Sequence, residues 1–555
     1  MNQRIKPILI KPETSIKETM MVIQKAPHVK EPAPNGIALI VDDDHRLLGI
    51  VTDGDIRRAL LKETDINLSV ENIMNRRPAK IKLSDVGVGE IIDNPDKKID
   101  QVVVIDEDNM VCDVIPFARA KTVDVCIVGL GYVGLTLALT FADVGFKVLG
   151  VDSDEKVVDS LKKGNPHFHE IGIKSLLNHH VDRNFSVTTT PQKSDVYVIS
   201  VDTPVNENGR VLTNSLESAI RSISKVLKRG DLIVLRSTVP VGTCREVVVP
   251  IVQEETDLMI DNEDFYVVFA PERTIEGKAI DELKTLPQII GGYNKASVDF
   301  ASAIFKTVTS LVVPVSSLEA AEMVKLLNNT FRDLSFAYSN EIAQLCDKLT
   351  LNSFEIINAA NRGYPRNPIP TPSPGVGGAC LIKDPYILIE SAKKVNYDMK
   401  LPRMGREINK SMIGFVVNKV STFCRQNNIP SDKAKIFIMG IAFKGEPETS
   451  DMRHSTSLDI LFGLKKIFPN IFVYDSVIEN AVLGDAGLSP LSLDEGFRDA
   501  HCVLVLNNHS SFKNIDIYKL LDSMKKPGLF FDGWGLFSEN TVHNAEGVKY
   551  GTFGR

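Results

Sequence analysis

The sequence has few cysteines and little net charge for its length. Seven cysteines are spread over 555 residues, an odd number without a Cys-x-x-Cys pair, so neither a disulfide framework nor a zinc site is indicated. The net charge is −7, and lysine and arginine are spread along the chain, which excludes the basic footprint of a nucleic-acid-binding protein. We therefore expect small molecules as partners, and we expect any functional cysteine to act as a free thiol.

Long apolar segments are also missing. No run of about 18 apolar residues occurs, and the N-terminus MNQRIKPILIKPE lacks the apolar core and cleavage site of a signal peptide. We therefore expect a cytoplasmic protein. The content of 43% hydrophobic and 24% charged residues is that of a globular protein rather than a disordered one. The length is sufficient for about three or four domains.

The N-terminal region contains an internal repeat. The segments IVDDDHRLLGIV from Ile40 and VIDEDNMVCDVI from Val104 share a strand, an acidic turn and a second strand, at an offset of 64 residues (104 − 40). Each follows a short strand that leads through Ser or Asp into a helical pattern, in IKPILIKPETSIKETM and RRPAKIKLSDVGVGEII. A chance likeness between two hairpins is the alternative interpretation.

This repeat resembles a CBS (Bateman) pair, which predicts a regulatory module over residues 1–118. The first copy ends in GIVTDGDIRRAL, and the resemblance implies that Thr52 and Asp55 contact a nucleotide ribose. The second copy reads DVIPFARA and lacks this signature. The resemblance therefore implies at most one site for an adenine nucleotide. A purely structural role in folding or assembly is the alternative.

From Val123 onwards the pattern changes to alternating strands and helices. The segments VDVCIVGL, FKVLGVD, DVYVISV, DLIVLRS and FYVVFAP are typical of buried parallel strands and predict a doubly wound domain over 121–318. A mainly helical region follows over 319–415. The strands KIFIMGIAF, NIFVYD, CVLVLN and GLFFDG predict a second such domain over 416–555. The expected fold is α/β, with two Rossmann-like doubly wound domains joined by a long central helix and an N-terminal CBS-pair module.

The stretch VGLGYVG follows a strand and opens a helix, the context in which a GxGxxG turn binds a dinucleotide. The predicted cofactor contacts in this turn are Gly129, Gly131, Tyr132, Val133 and Gly134. Asp152 ends the next strand, 21 residues after Gly131 (152 − 131). A carboxylate there accepts hydrogen bonds from the ribose and repels a 2′-phosphate, so we predict NAD rather than NADP. A glycine turn beside a strand-end aspartate, without a ligand, is the structural alternative.

The stretch PGVGGACLIKD, residues 374–384, places Cys380 just after a run of glycines. Beside a nicotinamide cofactor, a thiol can trap an aldehyde as a thiohemiacetal, which a second NAD oxidises to a thioester. Glycines such as Gly377 allow cofactor and substrate to approach closely. The hypothesis is therefore a two-step oxidation of an alcohol. The alternative is that Cys380 is a packing residue.

From about Val123 to its C-terminus the chain resembles the UDP-glucose/GDP-mannose dehydrogenases, which use NAD to oxidise the C6 alcohol of a nucleotide sugar to a carboxylate. GVGGACLIKD matches the nucleophile loop of the family, which implies that Cys380 is the nucleophile and Asp384 an acid/base group. EMVKLLNNTF matches the helix with the catalytic lysine and asparagine, here Lys325 and Asn329. These two lie at i and i+4 on one helix face, where both can stabilise one oxyanion.

Two further matches concern the first α/β domain. VDTPV and LRSTVPVGT imply that Thr203 and Thr238 contact cofactor or substrate. APERTIEG implies that Glu272 assists thioester hydrolysis and that Glu276 contacts the cofactor.

The last domain both matches the family and departs from it. MGIAFKGEPETSDMRHS resembles the nucleotide-sugar site, which makes Lys444 and Arg453 substrate contacts. Trp534, in DGWGLF, stands where the family commonly has an arginine. No residue is therefore assigned to a substrate contact at that position. Ala379 precedes the nucleophile, and GYPRNPIPTPSPGVGGAC is more similar to the branch acting on UDP-N-acetylhexosamines. In that branch Arg366 would contact the substrate, from its own or a neighbouring subunit.

The resemblance thus implies an NAD-dependent UDP-N-acetylhexosamine 6-dehydrogenase of polysaccharide biosynthesis, a homodimer or higher homo-oligomer that needs no metal. UDP-glucose is the alternative substrate. A β-hydroxyacid or 6-phosphogluconate type dehydrogenase has a similar architecture but forms one NADH and needs no thiol. An adenylate-sensing regulatory protein with an inactive dehydrogenase body is the alternative from another class. The hexose, its epimer and the number of subunits stay open.

Overall fold

The structure is a computed structural model that describes residues 3–26, 34, 36–82, 101–116, 123–206, 209–366, 368–539, 542 and 545–554. Its strands form two three-stranded sheets, one eight-stranded sheet and one five-stranded sheet. Within these ranges no helix combines the length and apolarity that a membrane span needs.

The N-terminal module contains both three-stranded sheets. Its strands are β1 Leu9–Ile10, β2 Ile37–Val41, β3 Leu47–Thr52, β4 Lys80–Lys82, β5 Gln101–Ile105 and β6 Val111–Pro116, and its helices are α1 Ile16–Lys25 and α2 Asp53–Leu61. In each sheet the first strand runs parallel to the second, and the second runs antiparallel to the third. The predicted repeat is therefore a repeat of topology.

The two hairpins also match in detail. The register of each hairpin shifts once, after Ile40 in β2 and after Val104 in β5, the predicted 64 residues later (104 − 40). The hairpin tips bond to each other reciprocally through the backbone pairs Leu47–Asn109 and Val111–His45. This reciprocity indicates an approximate two-fold relation between the copies. The helix predicted to follow β4 and the end of DVIPFARA, residues 117–120, lie outside the described residues.

The eight-stranded sheet has the order β14-β13-β12-β11-β10-β7-β8-β9. Its strands are β7 Asp124–Val128, β8 Lys147–Val151, β9 Phe185–Thr188, β10 Val196–Ile199, β11 Leu232–Leu235, β12 Tyr266–Phe269, β13 Gln288–Gly292 and β14 Val312–Pro314. The helices are α3 Tyr132–Asp143, α4 Glu155–Lys162, α5 Ile173–His180, α6 Asn214–Ser224, α7 Val249–Glu255, α8 Ala279–Thr285 and α9 Lys295–Phe305. The five predicted strands are all present, and the sheet is extended by β9, β13 and β14.

The central region is helical, as predicted, and consists of α10 Leu318–Leu349, α11 Ser353–Asn361, α12 Asp384–Lys394 and α13 Lys400–Gln426. A buried polar cluster joins the two long helices: Asp333 of α10 accepts hydrogen bonds from Arg406 (2.7 Å) and Asn409 (2.8 Å) of α13. Helix α13 continues through residue 415, where the sequence suggested a boundary. The ranges 1–118, 121–318, 319–415 and 416–555 therefore stay a prediction.

The second α/β unit is a parallel sheet of order β16-β15-β17-β18-β19. Its strands are β15 Lys435–Met439, β16 Asn470–Tyr474, β17 Cys502–Val505, β18 Gly528–Asp532 and β19 Val548–Gly551, and its helices are α14 Thr456–Lys465, α15 Asn480–Asp485, α16 Leu493–Phe497 and α17 Ile517–Asp522. The carboxyl ends of these strands lie towards the region after β15 that carries Lys444, where open α/β sheets bind ligands.

Candidate active site

The glycine turn after β7 has the shape that a dinucleotide needs. Gly129 has a positive φ of 91°, and a Cβ on Gly134 would lie 1.8 Å from the Gly129 carbonyl oxygen, so both positions require glycine. Gly131 is the N-cap of α3, and a Cβ added there would meet no atom within 4 Å. Open space therefore lies at the helix N-terminus, where a pyrophosphate binds. The residues of the turn fit NAD.

Asp152 lies directly beside this turn. Its Oδ2 accepts a hydrogen bond from the Leu130 backbone (2.9 Å), and its Oδ1 accepts one from Asp154 (3.0 Å). Tyr132, at the start of α3, donates its hydroxyl to Glu170 (2.5 Å). The carboxylate and the aromatic ring next to the turn are therefore held in place before any ligand binds.

Cys380 lies in the glycine-rich loop, one turn before Asp384, the first residue of α12. A Cβ on Gly377 would lie 2.5 Å from the His454 carbonyl oxygen, so the loop packs too closely on the last domain for a side chain there. Cys380 is the only exposed cysteine of the seven. Its sulfur nevertheless lies in a cleft among many protein atoms, and this burial, with the charge of Asp384, raises the pKa of the thiol to about 11.

Lys325 of α10 forms a buried ion pair with Glu272, which lies in the loop after β12. Lys325 is 5% exposed, and its Nζ donates to the Glu272 carbonyl oxygen (2.5 Å) and lies 3.4 Å from Oε2. Burial alone would lower the pKa of Lys325 and raise the pKa of Glu272, because it disfavours the charged form of each group. The charges of Glu272, Cys380 and Asp384 outweigh it and raise the pKa of Lys325, while Lys325 and Arg236 hold the pKa of Glu272 below its usual value. The pair is therefore an ammonium and a carboxylate.

Asn329, one turn further along α10, bonds to the nucleophile loop. Its Nδ2 donates to Asp384 Oδ2 over 2.5 Å, whereas Asp384 Oδ1 is buried without a hydrogen-bond partner. Burial, with a smaller contribution from Glu272, raises the pKa of Asp384. The structure thus brings together all five predicted catalytic residues, with one buried carboxylate oxygen left without a hydrogen-bond partner.

The sequence analysis assigned no role to Lys383, which joins the nucleophile loop to the cofactor loops. Its Nζ donates to Asp202 Oδ1 and to the Thr203 carbonyl oxygen, both over 3.0 Å. Thr203 in turn donates its hydroxyl to the Thr238 carbonyl oxygen (2.6 Å). The two predicted threonines therefore lie together, with Thr203 buried and in contact with the loop that carries the thiol.

Arg236 and Gln288 are a second pair without an assigned role. Arg236 is buried and donates to the Ala270 carbonyl oxygen and to Gln288, each over 3.0 Å. Gln288 donates to the Pro271 carbonyl oxygen (3.1 Å). These bonds fix the two residues that precede Glu272. A basic residue next to the LRSTVPVGT threonines was visible in the sequence, but its burial was not.

Lys444 and Glu276 meet where the last domain contacts the cofactor domain. Lys444 Nζ donates to the Glu276 carbonyl oxygen (2.7 Å). Burial lowers the pKa of Lys444 to about 8, and burial together with Asp451 raises the pKa of Glu276 to about 7. Arg453 donates from Nε to both carboxylate oxygens of Asp451 (3.0 Å each) and from Nη2 to Oδ2 (2.6 Å). The guanidinium of Arg453 is therefore already neutralised within its own loop.

Arg366 is a predicted substrate contact, whereas Trp534 stands where no contact is assigned. Arg366 is exposed, with its guanidinium 5.6 Å from the Tyr364 ring centroid. Trp534, after β18, donates its indole N–H to the Leu506 carbonyl oxygen (2.9 Å). Across the described part of the chain, no hydrogen bond joins either residue to the catalytic group.

The predicted regulatory residues form a capping box at the start of α2. The Thr52 N–H donates to Asp55 Oδ2 (2.9 Å), and the Asp55 N–H donates to Thr52 Oγ1 (3.3 Å). Arg58 also bonds to Asp55 (2.5 Å). Both side chains thus have a structural role at a helix N-terminus, which is also a position suited to phosphate.

A GxGxxG turn, a strand-end aspartate and a thiol between two Rossmann-like domains define an NAD-dependent dehydrogenase with a cysteine in its site. Family profiles agree with this class. The UDP-glucose/GDP-mannose dehydrogenase family matches with its NAD binding domain over residues 123–309, its central domain over 319–411 and its UDP binding domain over 437–539. A CBS domain profile matches residues 2–62.

Sequence relatives and solved structures support the same family assignment. The chain is 34% identical over 425 residues to a UDP-N-acetyl-D-mannosamine dehydrogenase of Methanococcus maripaludis, covering 75% of this chain and 93% of the relative. An NDP-N-acetyl-D-galactosaminuronic acid dehydrogenase of Ralstonia nicotianae is 31% identical over 72% of this chain and 95% of its own. The structure of a UDP-D-ManNAc dehydrogenase from Pyrococcus horikoshii superposes with a TM-score of 0.71 at 30% identity, covering 78% of this chain and 99% of that one.

The chain therefore belongs to the UDP-glucose/GDP-mannose dehydrogenase family. It is an NAD-dependent oxidoreductase that acts on UDP-sugars, and it carries an N-terminal CBS domain. The predicted fold, cofactor and enzyme class are confirmed.

Proposed function

We propose that this enzyme oxidises the C6 alcohol of a UDP-N-acetylhexosamine to the UDP-uronate, with two NAD and one water consumed and two NADH formed. The observation that carries the proposal is the single exposed thiol, Cys380, in a group with Lys325, Asn329 and Asp384. The amino sugar is supported by the relatives, which are named for N-acetylmannosamine and N-acetylgalactosaminuronate.

Asp384 is the base of the first oxidation. The glycine turn and Asp152 would hold NAD, which would supply the hydride acceptor for both oxidations at C6. The hydroxyl proton goes to Asp384, directly or through a water, because Oδ1 of this carboxylate is the acceptor without a partner. Lys325 is the alternative base, but its raised pKa keeps it charged and suits it to stabilising an oxyanion.

Cys380 acts in the second oxidation. After Asp384 has released the proton of the alcohol to water, the sulfur forms a bond to the aldehyde carbon, the thiol proton passes to Asp384, and the carbonyl electron pair moves to the oxygen. The ammonium of Lys325 and the amide of Asn329 stabilise this oxyanion. Loss of the second hydride leaves a thioester on Cys380. Water directed by the Glu272 carboxylate then adds, the carbon–sulfur bond breaks, and the uronate and the thiol are released.

Counting NADH across a panel of UDP-hexoses and UDP-N-acetylhexosamines tests the proposal. We expect two NADH per sugar and the highest kcat/KM for a UDP-N-acetylhexosamine. A ratio of one would instead support a single-oxidation dehydrogenase. Preference for UDP-glucose would support the alternative substrate, and absence of turnover with every sugar would support a regulatory protein with an inactive body.

A homo-oligomer is supported by an apolar stripe on α10. The stripe is exposed and lies on the face opposite Lys325 and Asn329; its residues are Met323, Leu327, Phe331, Tyr338 and Leu345. Phe331 is 73% exposed, which is costly for an aromatic side chain in water. We propose that a second subunit covers this stripe. Light scattering after gel filtration measures the mass, and a monomer at micromolar concentration would contradict the proposal.

We also propose that the CBS module binds an adenine nucleotide and thereby changes activity. Thr52 and Asp55 lie at the N-terminus of α2, where a hydroxyl and a carboxylate can bind a ribose and the helix dipole favours phosphate. A ligand there alters turnover only if it binds two states of the enzyme unequally.

A further inference from the structure

The loop that carries Cys380 is fixed on its carboxyl side by helix α12. The Cys380 carbonyl oxygen accepts the backbone N–H groups of Lys383 (3.2 Å) and Asp384 (3.0 Å), which tie the residue to the start of this helix. Asp384 is in turn held to α10 by Asn329. The position of the thiol therefore also depends on what holds the loop on the amino side of Cys380.

Asn340 of α10 holds that side of the loop. Its Oδ1 accepts the backbone N–H of Ser373 (2.9 Å), and both residues are buried. Ser373 donates its hydroxyl to the Gly375 carbonyl oxygen (2.9 Å), and further along the Gly378 N–H donates to the His454 carbonyl oxygen (3.2 Å). A buried N–H group needs an acceptor, and Asn340 supplies it where the loop begins.

A second bond fixes the amide of Asn340 in this orientation. Its Nδ2 donates to Asn409 Oδ1 of α13 (3.0 Å), and Asn409 donates to the carbonyl oxygen (3.0 Å) and the carboxylate (2.8 Å) of Asp333. A Cβ on Gly375 would lie 3.2 Å from the Asn409 carbonyl oxygen, so the loop also packs on α13. The buried polar cluster that joins the two long helices therefore ends on the backbone of the nucleophile loop.

Asn340 lies on the same face of α10 as the predicted oxyanion ligands. It follows Asn329 by 11 residues (340 − 329), which is close to three helical turns. From this face Asn329 bonds to Asp384, whereas Asn340 bonds to the loop that carries the thiol. One helix can therefore set the position of the nucleophile relative to the groups that act with it.

We propose that Asn340 is a positioning residue for Cys380, and that its bond to Ser373 keeps the sulfur within reach of the aldehyde. This inference rests on the proposed function. The first oxidation needs Asp384, which Asn329 and α12 hold in place. The second oxidation also needs the thiol. Loss of the Asn340 anchor should therefore slow the second hydride transfer and spare the first.

A single turnover with enzyme in excess over sugar and saturating NAD follows the two hydride transfers as two equivalents of NADH. In Asn340→Ala the second equivalent should appear about 10- to 100-fold more slowly than in the wild type, the effect of a small misplacement of a reacting group. The first should change by less than about threefold, because Asp384 stays in place. Borodeuteride added at the quench should label the accumulated aldehyde, and mass spectrometry should detect the label.

Two further variants separate positioning from stability. Asn340→Asp keeps an oxygen for the Ser373 N–H but loses the bond to Asn409, so its Tm should fall while the second hydride transfer stays close to the wild-type rate. Ser339→Ala is the matched control, because Ser339 is buried on the same helix and donates to the Phe336 carbonyl oxygen within it (2.9 Å). Both hydride transfers should be unchanged in Ser339→Ala.

Equal slowing of the two hydride transfers in Asn340→Ala, or no slowing of either, would overturn the assignment. So would a second hydride transfer that is as slow in Asn340→Asp as in Asn340→Ala. Circular dichroism reports folding, and Asn340→Leu, which fills the space of the amide, is the decisive variant if Asn340→Ala does not fold.

Alkylation of Cys380 tests the anchor without turnover. Iodoacetamide at about pH 10 should modify Cys380 faster in Asn340→Ala than in the wild type, because a loosened loop exposes the sulfur. Peptide mass spectrometry measures the modification, and an unchanged rate would contradict the anchor. A wild-type ratio of one NADH per sugar would refute the proposed oxidation, whereas the alkylation result would still report on the bond between Asn340 and Ser373.

Discussion

Asn329 Nδ2 donates to Asp384 Oδ2 over 2.5 Å and thereby connects the long helix α10 to the loop that carries Cys380. The bond occupies one oxygen of a fully buried carboxyl group and leaves Oδ1 without a partner. Asp384 is therefore oriented by one member of the catalytic group while its other oxygen stays available. The same carboxyl can accept the proton of the substrate hydroxyl first and that of the thiol later.

Glu272→Gln should trap the thioester. The substitution removes the carboxylate that directs water, whereas the thiol and the oxyanion ligands remain, so kcat should fall about 10²- to 10⁴-fold. Intact-mass spectrometry after mixing with substrate and NAD should show an adduct on the chain. The double variant Glu272→Gln/Cys380→Ser should show none. Absence of an adduct on Glu272→Gln would remove Glu272 from the hydrolysis step.

Cys380 should react slowly with iodoacetamide at neutral pH. Its pKa is raised to about 11, so the thiolate fraction of the free enzyme should rise roughly tenfold per pH unit from 7 to 10. Lys325 lowers this pKa, so Lys325→Met should slow the reaction further at every pH. Intact mass reports the modification, and Cys380→Ser is the control. A half-maximal rate near pH 8 would contradict the assigned environment.

Asp152 should impose a strong preference for NAD. Its carboxylate is fixed beside the glycine turn by the Leu130 N–H and would face a 2′-phosphate as a like charge. Asp152→Asn keeps an oxygen that can accept this hydrogen bond but removes the charge. The ratio of kcat/KM for NAD over NADP should therefore fall by at least about tenfold, mainly through better use of NADP. A wild-type enzyme that used both equally would contradict the ribose assignment.

UDP binding should weaken as the pH rises above about 8. The pKa of Lys444 is lowered to about 8, so its ammonium is present well below pH 8 in the free enzyme, is half deprotonated at that value and is lost as the pH rises further. An anion binds the charged form, so the Kd for UDP should be flat at lower pH and then increase. Lys444→Arg removes this titration and should extend the flat region by at least one pH unit. An unchanged profile would exclude Lys444 as the titrating group.

The parts of the site that the sequence predicted are encoded locally. The glycine turn and the spacing of Lys325 and Asn329 depend on neighbouring residues, and the structure retains both. Lys383 could not be assigned this way, because its importance depends on contacts with residues far along the chain. Lys383 bonds to Asp202, for example, 181 residues away. No local pattern reports such packing.

The strands and domain boundaries show the same difference between what neighbouring residues encode and what long-range packing decides. The apolar runs predicted five strands of the large sheet, whereas β9 covers only four residues and β14 only three. Segments this short lack a clear period of two. The predicted boundary at 415 falls within α13, whose buried residues pack against the last domain as well as the central region, and the domain ranges stay a prediction.

The CBS module contains two capping boxes, and one of them can serve as a control for the predicted binding of an adenine nucleotide at the other. Helix α2 begins with the capping box of Thr52 and Asp55, and helix α1 begins with an equivalent box of Ser15 and Glu18. Only the first lies in the segment that resembles a nucleotide signature. Asp55→Ala and Glu18→Ala should each lower the Tm slightly through the lost cap.

Only Asp55→Ala should lose nucleotide binding, because the carboxylate of Asp55, unlike that of Glu18, would also bind a ribose. Calorimetry of the full chain with AMP, ADP and ATP should show one site in the wild type and in Glu18→Ala. The nucleotide should also change kcat or KM, with a coupling of about 1 to 3 kcal/mol. Equal affinity of the two variants would mean that Asp55 only caps its helix. If no adenine nucleotide binds the wild type below millimolar concentration, the module is structural.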